Sequence, residues 1–100
     1  MANEFTVTSV SVAGAPPLEF RFAGDTCRAS VAGAQLYCEM RGDGDIDMRL
    51  KDATGEVLAD LIVRQRSHRN ATENLVDIGS ALLWSHWRHE ESKEQPVPLE

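Results

Sequence analysis

Two histidines near the C-terminal end of the chain have a spacing that can bind a metal ion. His86 and His89 are three residues apart, so a helix would present them on one face. Two imidazoles do not complete a site, and nothing in the sequence fixes a third ligand beside them. We therefore predict no metal and no cofactor, and we keep a histidine-dependent enzyme or a metal site on the helix as an alternative.

Alternate acidic residues from Asp43 to Asp47 match the first positions of a calcium-binding loop. The sixth position of such a loop should be glycine and the twelfth glutamate, but here they are Met48 and Thr54. We interpret these acids as solvated side chains of a hairpin and of the outer face of a strand. The sequence also has no glycine-rich phosphate loop and no nucleophile elbow, so we predict no catalytic residue and no enzyme.

The basic cluster of the chain lies between residues 64 and 69, just before a predicted helix. Arg64, Arg66 and Arg69 are candidate anion contacts, because free N–H groups at a helix N-terminus favour negative ligands. The cluster contains no aromatic side chain on which a base could stack. We favour the alternative that it is a solvated linker, which neutralises part of an acidic surface.

The composition indicates a small acidic domain and excludes some partners. The chain has 100 residues, of which 42% are hydrophobic, and a net charge of −6. Binding of duplex nucleic acid needs a basic face, which this charge disfavours. No window approaches the roughly 18 apolar residues of a membrane span. The first residues lack the features of a signal peptide, so we predict no membrane contact and a cytoplasmic location.

Alternation of apolar and polar residues from residue 4 to residue 63 predicts β-strands. From Asn70, a good N-cap residue, the period changes to that of a helix. We predict a single domain over residues 1–91 and a disordered tail over residues 92–100. The predicted strands lie near residues 4–12, 18–23, 27–32, 35–41, 45–51 and 56–64, and the predicted helix lies near residues 71–90.

The register across the third and fourth strands depends on their turn. A two-residue turn at Gly33-Ala34, with glycine first, sets Val31 opposite Leu36. Side chains that point inward on one strand then stay inward on the next. In this register Cys27 and Cys38 are diagonal neighbours, which is poor geometry for a disulfide. We therefore predict two buried, reduced thiols.

Two later loops continue the same inward face. A three-residue loop with Gly44 in the left-handed region sets Met40 opposite Ile46. The next loop sets Leu50 opposite Val57. Parity is preserved across both loops, which supports the assignment of the strands.

The first strand is less regular than the others. Val10 and Val12 fit the inward set, whereas Phe5 and Val7 have the opposite parity, so we predict a bulge near Thr8-Ser9. The predicted fold is α+β, mainly β. It is a six-stranded antiparallel meander, strongly curled or barrel-like, packed by one C-terminal amphipathic helix.

The predicted helix has more apolar surface than one contact needs. A stripe that includes Leu75 and Leu82 would cover the sheet, which leaves a second stripe without a contact. In the last strand, Leu58 and Ile62 also point away from the inward set. Tryptophan is enriched at interaction hot spots. The predicted interaction surface consists of Val76, Leu83, Trp84 and Trp87.

We predict a small non-catalytic protein-interaction or accessory domain, including an inhibitor-type protein. It would self-associate through the helix as a homodimer or bind a protein partner. The alternative is that Trp84 and Trp87 pack within their own subunit. An alternative function is the binding of an apolar small molecule inside the curled sheet, near Phe20, Phe22, Met40 and Met48.

Overall fold

A computed structural model of the protein describes residues 4–11, 14–64 and 70–94. The strands are β1 (Glu4–Ser9), β2 (Leu18–Ala23), β3 (Thr26–Val31), β4 (Ala34–Met40), β5 (Ile46–Lys51) and β6 (Val57–Val63), and the helix is α1 (Ala71–Glu94). The helix thus extends past its predicted end at residue 90 into the predicted tail. Residues 95–100 of that tail lie outside the described residues.

The strands form one open antiparallel sheet in chain order, from β1 to β6. β1 and β6 are its two edges, so the predicted strongly curled or barrel-like form is not present. The helix lies across one face, where its backbone runs close to β1, β3, β4 and β5 and its Gly79 contacts the side chain of Phe20 on β2. Within the described residues, no helix is both long enough and apolar enough to span a membrane.

Alternate residues of the central strands point toward the helix and form the core. On β2, Leu18, Phe20 and Phe22 are buried, while the residues between them are exposed. This is the period of two that a strand imposes on its side chains. The largest fully buried core side chains are Leu18, Phe20, Phe22, Cys27, Leu36, Cys38, Ile46, Met48, Leu75 and Leu83.

The turn between β3 and β4 is Ala32-Gly33, one position earlier than predicted. Both residues have positive φ, 49° and 82°, as a type I′ turn requires. Val31 therefore pairs with Ala34, and its predicted pairing with Leu36 is wrong. Ala34 is fully buried, which explains why it belongs to the strand and not to the turn.

This register places Cys27 directly opposite Cys38. Their predicted diagonal arrangement is therefore wrong, but both thiols are free and buried. Burial raises the pKa of each thiol to about 12, and the neighbouring Cys27 adds to the rise at Cys38. Because the thiolate is the reactive form, these two cysteines act as small apolar core residues at neutral pH.

The loop between β4 and β5 has the predicted three-residue form. Met40 pairs with Ile46 across it, and Gly44 has a φ of 91°. The carboxylate of Asp43 accepts a hydrogen bond from the N–H of Asp45 at 3.0 Å. Asp43 is therefore a turn residue, which agrees with the hairpin interpretation of these acids.

A β-bulge interrupts β6 near its start. Lys51 pairs with Val57, but Leu50 pairs with Ala59, so Leu58 is an extra residue. The predicted pairing of Leu50 with Val57 is therefore wrong, and Val57 lies on the outer face instead of the inner one. Beyond the bulge, β6 pairs regularly with β5 up to Val63.

β1 is regular and shorter than predicted. Phe5 pairs with Phe22, and their rings stack with centroids 4.6 Å apart. This contact fixes the parity of the strand, so the predicted bulge near Thr8-Ser9 is absent. Val10 lies beyond the end of the strand and is 72% exposed, contrary to the prediction that it points inward. Val12 lies outside the described residues.

The helix approaches the sheet most closely at its glycine. A Cβ atom added at Gly79 would lie 2.8 Å from side-chain atoms of both Leu36 and Phe20. The hydroxyl of Ser80, a buried residue, donates a hydrogen bond to the hydroxyl of Ser9 at 2.9 Å. The buried line of the helix therefore runs between the two predicted stripes and consists of Leu75, Val76, Gly79, Ser80 and Leu83.

Candidate interaction surfaces

The helix residues predicted as an interaction surface are largely covered by the chain's own sheet. Val76 and Leu83 belong to the core, so neither is available to a partner. Trp84 is half-buried, and its indole N–H donates a hydrogen bond to the carbonyl oxygen of Pro16 at 3.0 Å. Trp87 is also half-buried. The sheet meets the helix between the two predicted stripes, which is why it covers residues assigned to a partner.

The predicted anion and metal candidates do not come together in the described part of the chain. Arg64 is exposed just after β6, while Arg66 and Arg69 lie outside the described residues. His86 is half-buried and His89 is exposed. Within the described ranges, no three potential metal ligands form a group, so neither histidine gains the further ligands that a metal site needs.

The space predicted for an apolar ligand is occupied by core side chains. Phe20, Phe22 and Met48 are fully or almost fully buried. The close approach of Gly79 to Phe20 places the helix directly on this side of the sheet. Met40 is half-buried at the end of β4. These side chains therefore serve as packing between helix and sheet.

β6 exposes apolar side chains at one edge of the sheet. Ile62 is 54% exposed, and Val57 and Leu58 are exposed to a similar degree. Leu61 and Val63, which face the helix side, are only half-buried. Single exposed apolar residues are common, but several on one edge strand are typical of a contact surface.

The backbone of β6 also has groups that face away from the sheet. The N–H of Arg41 donates to the carbonyl oxygen of Asp45 at 2.8 Å, which fixes the alternation of hydrogen-bonded pairs along the ladder. The same alternation continues from β4 through β5 to β6. It directs the N–H and C=O groups of Leu61 toward β5. Those of Asp60 and Ile62 point toward the free edge, where no strand of the described residues pairs with β6.

Charges of opposite sign lie on either side of Ile62. The carboxylate of Asp60 accepts a hydrogen bond from the guanidinium of Arg49 at 3.1 Å. Arg64 follows the last residue of β6 and is exposed. Because strand side chains alternate, Asp60 and Ile62 lie on the outer face, and a strand continued by one residue would add Arg64 to give the order acid, apolar residue, base.

The chain matches no protein-family model, no curated protein and no solved structure. The candidate functional surfaces therefore rest on the burial, contacts and charges of its own described residues. Two surfaces qualify on these grounds, namely the free edge of β6 and an open trough on the outer face of the sheet.

The outer-face trough has a volume of about 880 Å³ and a positive lining. Arg21 lies opposite Arg28, and Arg28 lies opposite Tyr37, so these side chains form a row across the strands. Arg49 continues the row on β5. The guanidinium of Arg28 lies 5.2 Å from the centre of the Tyr37 ring. The charged residues of the lining are Arg21, Arg28, Arg49, Lys51 and Glu19.

This row of cations was not predicted from the sequence. Its arginines are far apart along the chain, so only the strand register brings them together. The signal was nevertheless present, because Arg21, Arg28 and Arg49 all occupy outward positions in the alternating pattern.

Proposed function

We propose that this protein is a non-catalytic protein-interaction module, which binds an extended polypeptide segment along the free edge of β6. The observation that carries this proposal is the exposure of Ile62 on an edge strand whose Asp60 and Ile62 backbone groups point away from the sheet. Free N–H and C=O groups at a sheet edge can pair with an added strand. The alternate side chains then give the contact its specificity.

The exposed side chains of β6 would add to the affinity of such a complex. Complete burial of an aliphatic side chain contributes about 1.5–3 kcal/mol. Val57, Leu58 and Ile62 are each close to half exposed, so each would contribute about 1 kcal/mol if covered. Part of this gain is offset by the entropy lost when the partner segment is ordered.

The proposal is tested with a labelled synthetic peptide of residues 57–64, which serves as an extended apolar probe. We expect dilute wild-type protein to bind it in a fluorescence anisotropy titration. Ile62→Pro removes an N–H that points to the free edge but no hydrogen bond to β5, and should weaken binding about tenfold. Ile62→Val keeps this N–H and serves as the matched control.

Equal affinity of wild type and Ile62→Pro for the peptide would contradict docking at this edge. Failure of the wild type to bind even at roughly millimolar peptide would contradict the proposal as well. Ile62→Lys provides a second disruption of the same edge if the proline variant does not unfold cooperatively. Because Ile62 is half exposed, we expect the lysine variant to retain the fold.

A second candidate function is the binding of an acidic segment in the outer-face trough. Four cations and one carboxylate line this trough, and guanidinium groups bind carboxylates with charge-assisted hydrogen bonds. A titration with a poly-glutamate peptide tests it. We expect Arg28→Thr to weaken binding, whereas Arg64→Gln, outside the trough, should leave it unchanged. Binding that survives Arg28→Thr together with Arg49→Thr would contradict this candidate.

A further inference from the structure

We infer that the segment bound by β6 is the β6 strand of a second copy of this chain, paired antiparallel about a two-fold axis at Ile62. This inference rests on the proposed docking at the β6 edge and adds the identity of the partner. An antiparallel partner runs in the reverse direction, so each register sets different residues opposite each other. A register is favourable when charges, apolar side chains and backbone groups all find partners.

Registers with the axis at Asp60, Leu61 or Ile62 differ in what they place opposite Asp60. An axis at Asp60 sets two carboxylates against each other, and like charges directly opposite destabilise a sheet pair. An axis at Leu61 sets Asp60 opposite the partner's Ile62, which leaves the charge without a new partner. An axis at Ile62 sets Asp60 opposite the partner's Arg64, and by symmetry Arg64 opposite the partner's Asp60.

The same register also pairs the apolar residues that lie between Asp60 and Arg64. Ile62 meets the partner's Ile62 on the outer face, and Leu61 meets the partner's Val63 on the inner face, where both are half-buried in the single chain. The backbone groups of Asp60 and Ile62 point outward to a partner strand. The Asp60 carboxylate would then lie between its own Arg49 and the arginine of the second copy.

Light scattering across a concentration series tests whether the partner is a second copy. We expect wild-type protein to rise from the mass of a monomer to that of a dimer, and Ile62→Pro to remain monomeric. Val10→Lys, at an exposed valine outside β6, and Trp84→Lys, on the helix, should dimerise like wild type. Each of these variants is compared only where its thermal unfolding remains cooperative.

The outcomes separate this inference from the proposed function. A wild type that stays monomeric at every concentration overturns the second-copy inference. The proposed function is tested separately, by the binding of the peptide to the β6 edge. A dimer that Trp84→Lys breaks and Ile62→Pro does not would overturn the inference, because the contact would then lie on the helix.

Cross-linking distinguishes the proposed register from the others. Two cysteines in place of Ile62 would face each other across the axis with Cα atoms about 5.5 Å apart, within disulfide range. Two cysteines in place of Asp60 would be on the order of 13 Å apart. Native Cys27 and Cys38 do not compete because both are buried, with pKa values raised to about 12.

After mild oxidation we expect a covalent dimer of Ile62→Cys and none of Asp60→Cys. The reverse result would overturn the register while leaving β6 as the contact strand. Arg64→Glu sets a like charge opposite Asp60 of the second copy, so its dimer should dissociate about fivefold more readily. Combining it with Asp60→Lys should recover part of the loss. An unchanged dissociation constant for Arg64→Glu would overturn the pairing of Asp60 with Arg64.

Discussion

Asp52 organises the loop between β5 and β6 through hydrogen bonds to one carboxylate oxygen. Its Oδ1 atom accepts from the hydroxyl of Thr54 at 2.6 Å, from the N–H of Thr54 at 2.9 Å and from the N–H of Glu56 at 3.0 Å. These bonds favour the charged carboxylate. The hydroxyl of Thr54 contributes most, and together they hold the pKa of Asp52 below its usual value.

The stability contributed by Asp52 should therefore depend on pH. Because its pKa is lower in the folded state, this contribution is present above the unfolded-state pKa and is lost as the pH falls through the folded-state pKa. We expect Asp52→Asn to lower the melting temperature at neutral pH, and the difference from wild type to close in acid. Thermal unfolding from about pH 7 to about pH 2 measures this. Asp25→Asn, in another turn, is the control, and a pH-independent difference for Asp52→Asn would contradict the charge-based role.

Ala32 is the non-glycine residue with positive φ among those described. A non-glycine residue in the left-handed region destabilises the folded state by about 1 kcal/mol. Glycine removes this strain, but its greater entropy in the unfolded chain offsets part of the gain. We expect Ala32→Gly to raise the free energy of unfolding by about 0.5 kcal/mol. Ala53→Gly, in a turn without positive φ at that residue, should lower it by a similar amount. Urea unfolding compares the two, and a loss of stability in both would show that Ala32 is not strained.

Between elements, the contact of α1 with the sheet depends on Gly79. An added methyl group would press on Phe20, a buried aromatic ring with little room to move. Overpacking costs about 1–3 kcal/mol, which exceeds the roughly 1 kcal/mol gained from the helix propensity of alanine. We expect Gly79→Ala to lower the free energy of unfolding by about 1 kcal/mol. Chemical denaturation tests this, with the exposed Ser85→Ala as control. A stabilised Gly79→Ala would mean that the core shifts easily.

The pairing of β2 with β3 carries a repulsive contact. Arg21 lies directly opposite Arg28, and the nearby carboxylate of Glu19 is an exposed partner 3.6 Å from Arg21. Like charges opposite each other cost about 0.2–1 kcal/mol. We expect Arg21→Thr to raise the free energy of unfolding by a few tenths of a kcal/mol in low salt, and less in high salt. A loss of stability in low salt would show that the ion pair with Glu19 outweighs the repulsion.

Much of the sheet was predictable because parity depends only on which side chains face the core. The strands and the Met40–Ile46 pairing follow from the sequence in this way. The predicted registers were wrong where a single residue in a turn or bulge determines which residues pair. Ala32 adopts a conformation that alanine disfavours so that Ala34 can be buried, and the bulge at Leu58 has no residue that marks it in advance.

The face of the helix and the contact surface were less predictable for a different reason. A helical wheel shows where the apolar residues of a helix lie, but the closest approach of the helix to the sheet depends on side-chain size. Gly79 and Ser80 were therefore not recognised as residues that contact the sheet. The outward direction of Ile62 was predicted. Its importance depends on whether the sheet is open or closed, because only an open sheet makes β6 an edge, and the sequence does not decide this.

For the whole molecule, association and stability are linked. A partner that binds only the folded chain raises the melting temperature as its concentration rises. We expect the melting temperature of wild-type protein to increase over about a hundredfold range of concentration, and that of Ile62→Pro to remain constant. Scanning calorimetry at the lowest and the highest concentration of this range measures both melting temperatures. A constant melting temperature for wild type would contradict self-association.

The two edges of the sheet are unlike. The outer face of β1 carries Glu4, Thr6 and Thr8, in contrast to the apolar side chains of β6. Charged and polar side chains on an edge strand discourage further pairing. A contact related by a two-fold axis also uses the same strand of both copies. Once two copies have joined through β6, β1 is the edge at each end of the joined sheet, and its outer face is polar. We therefore expect association to stop at two copies and not to propagate into a fibre.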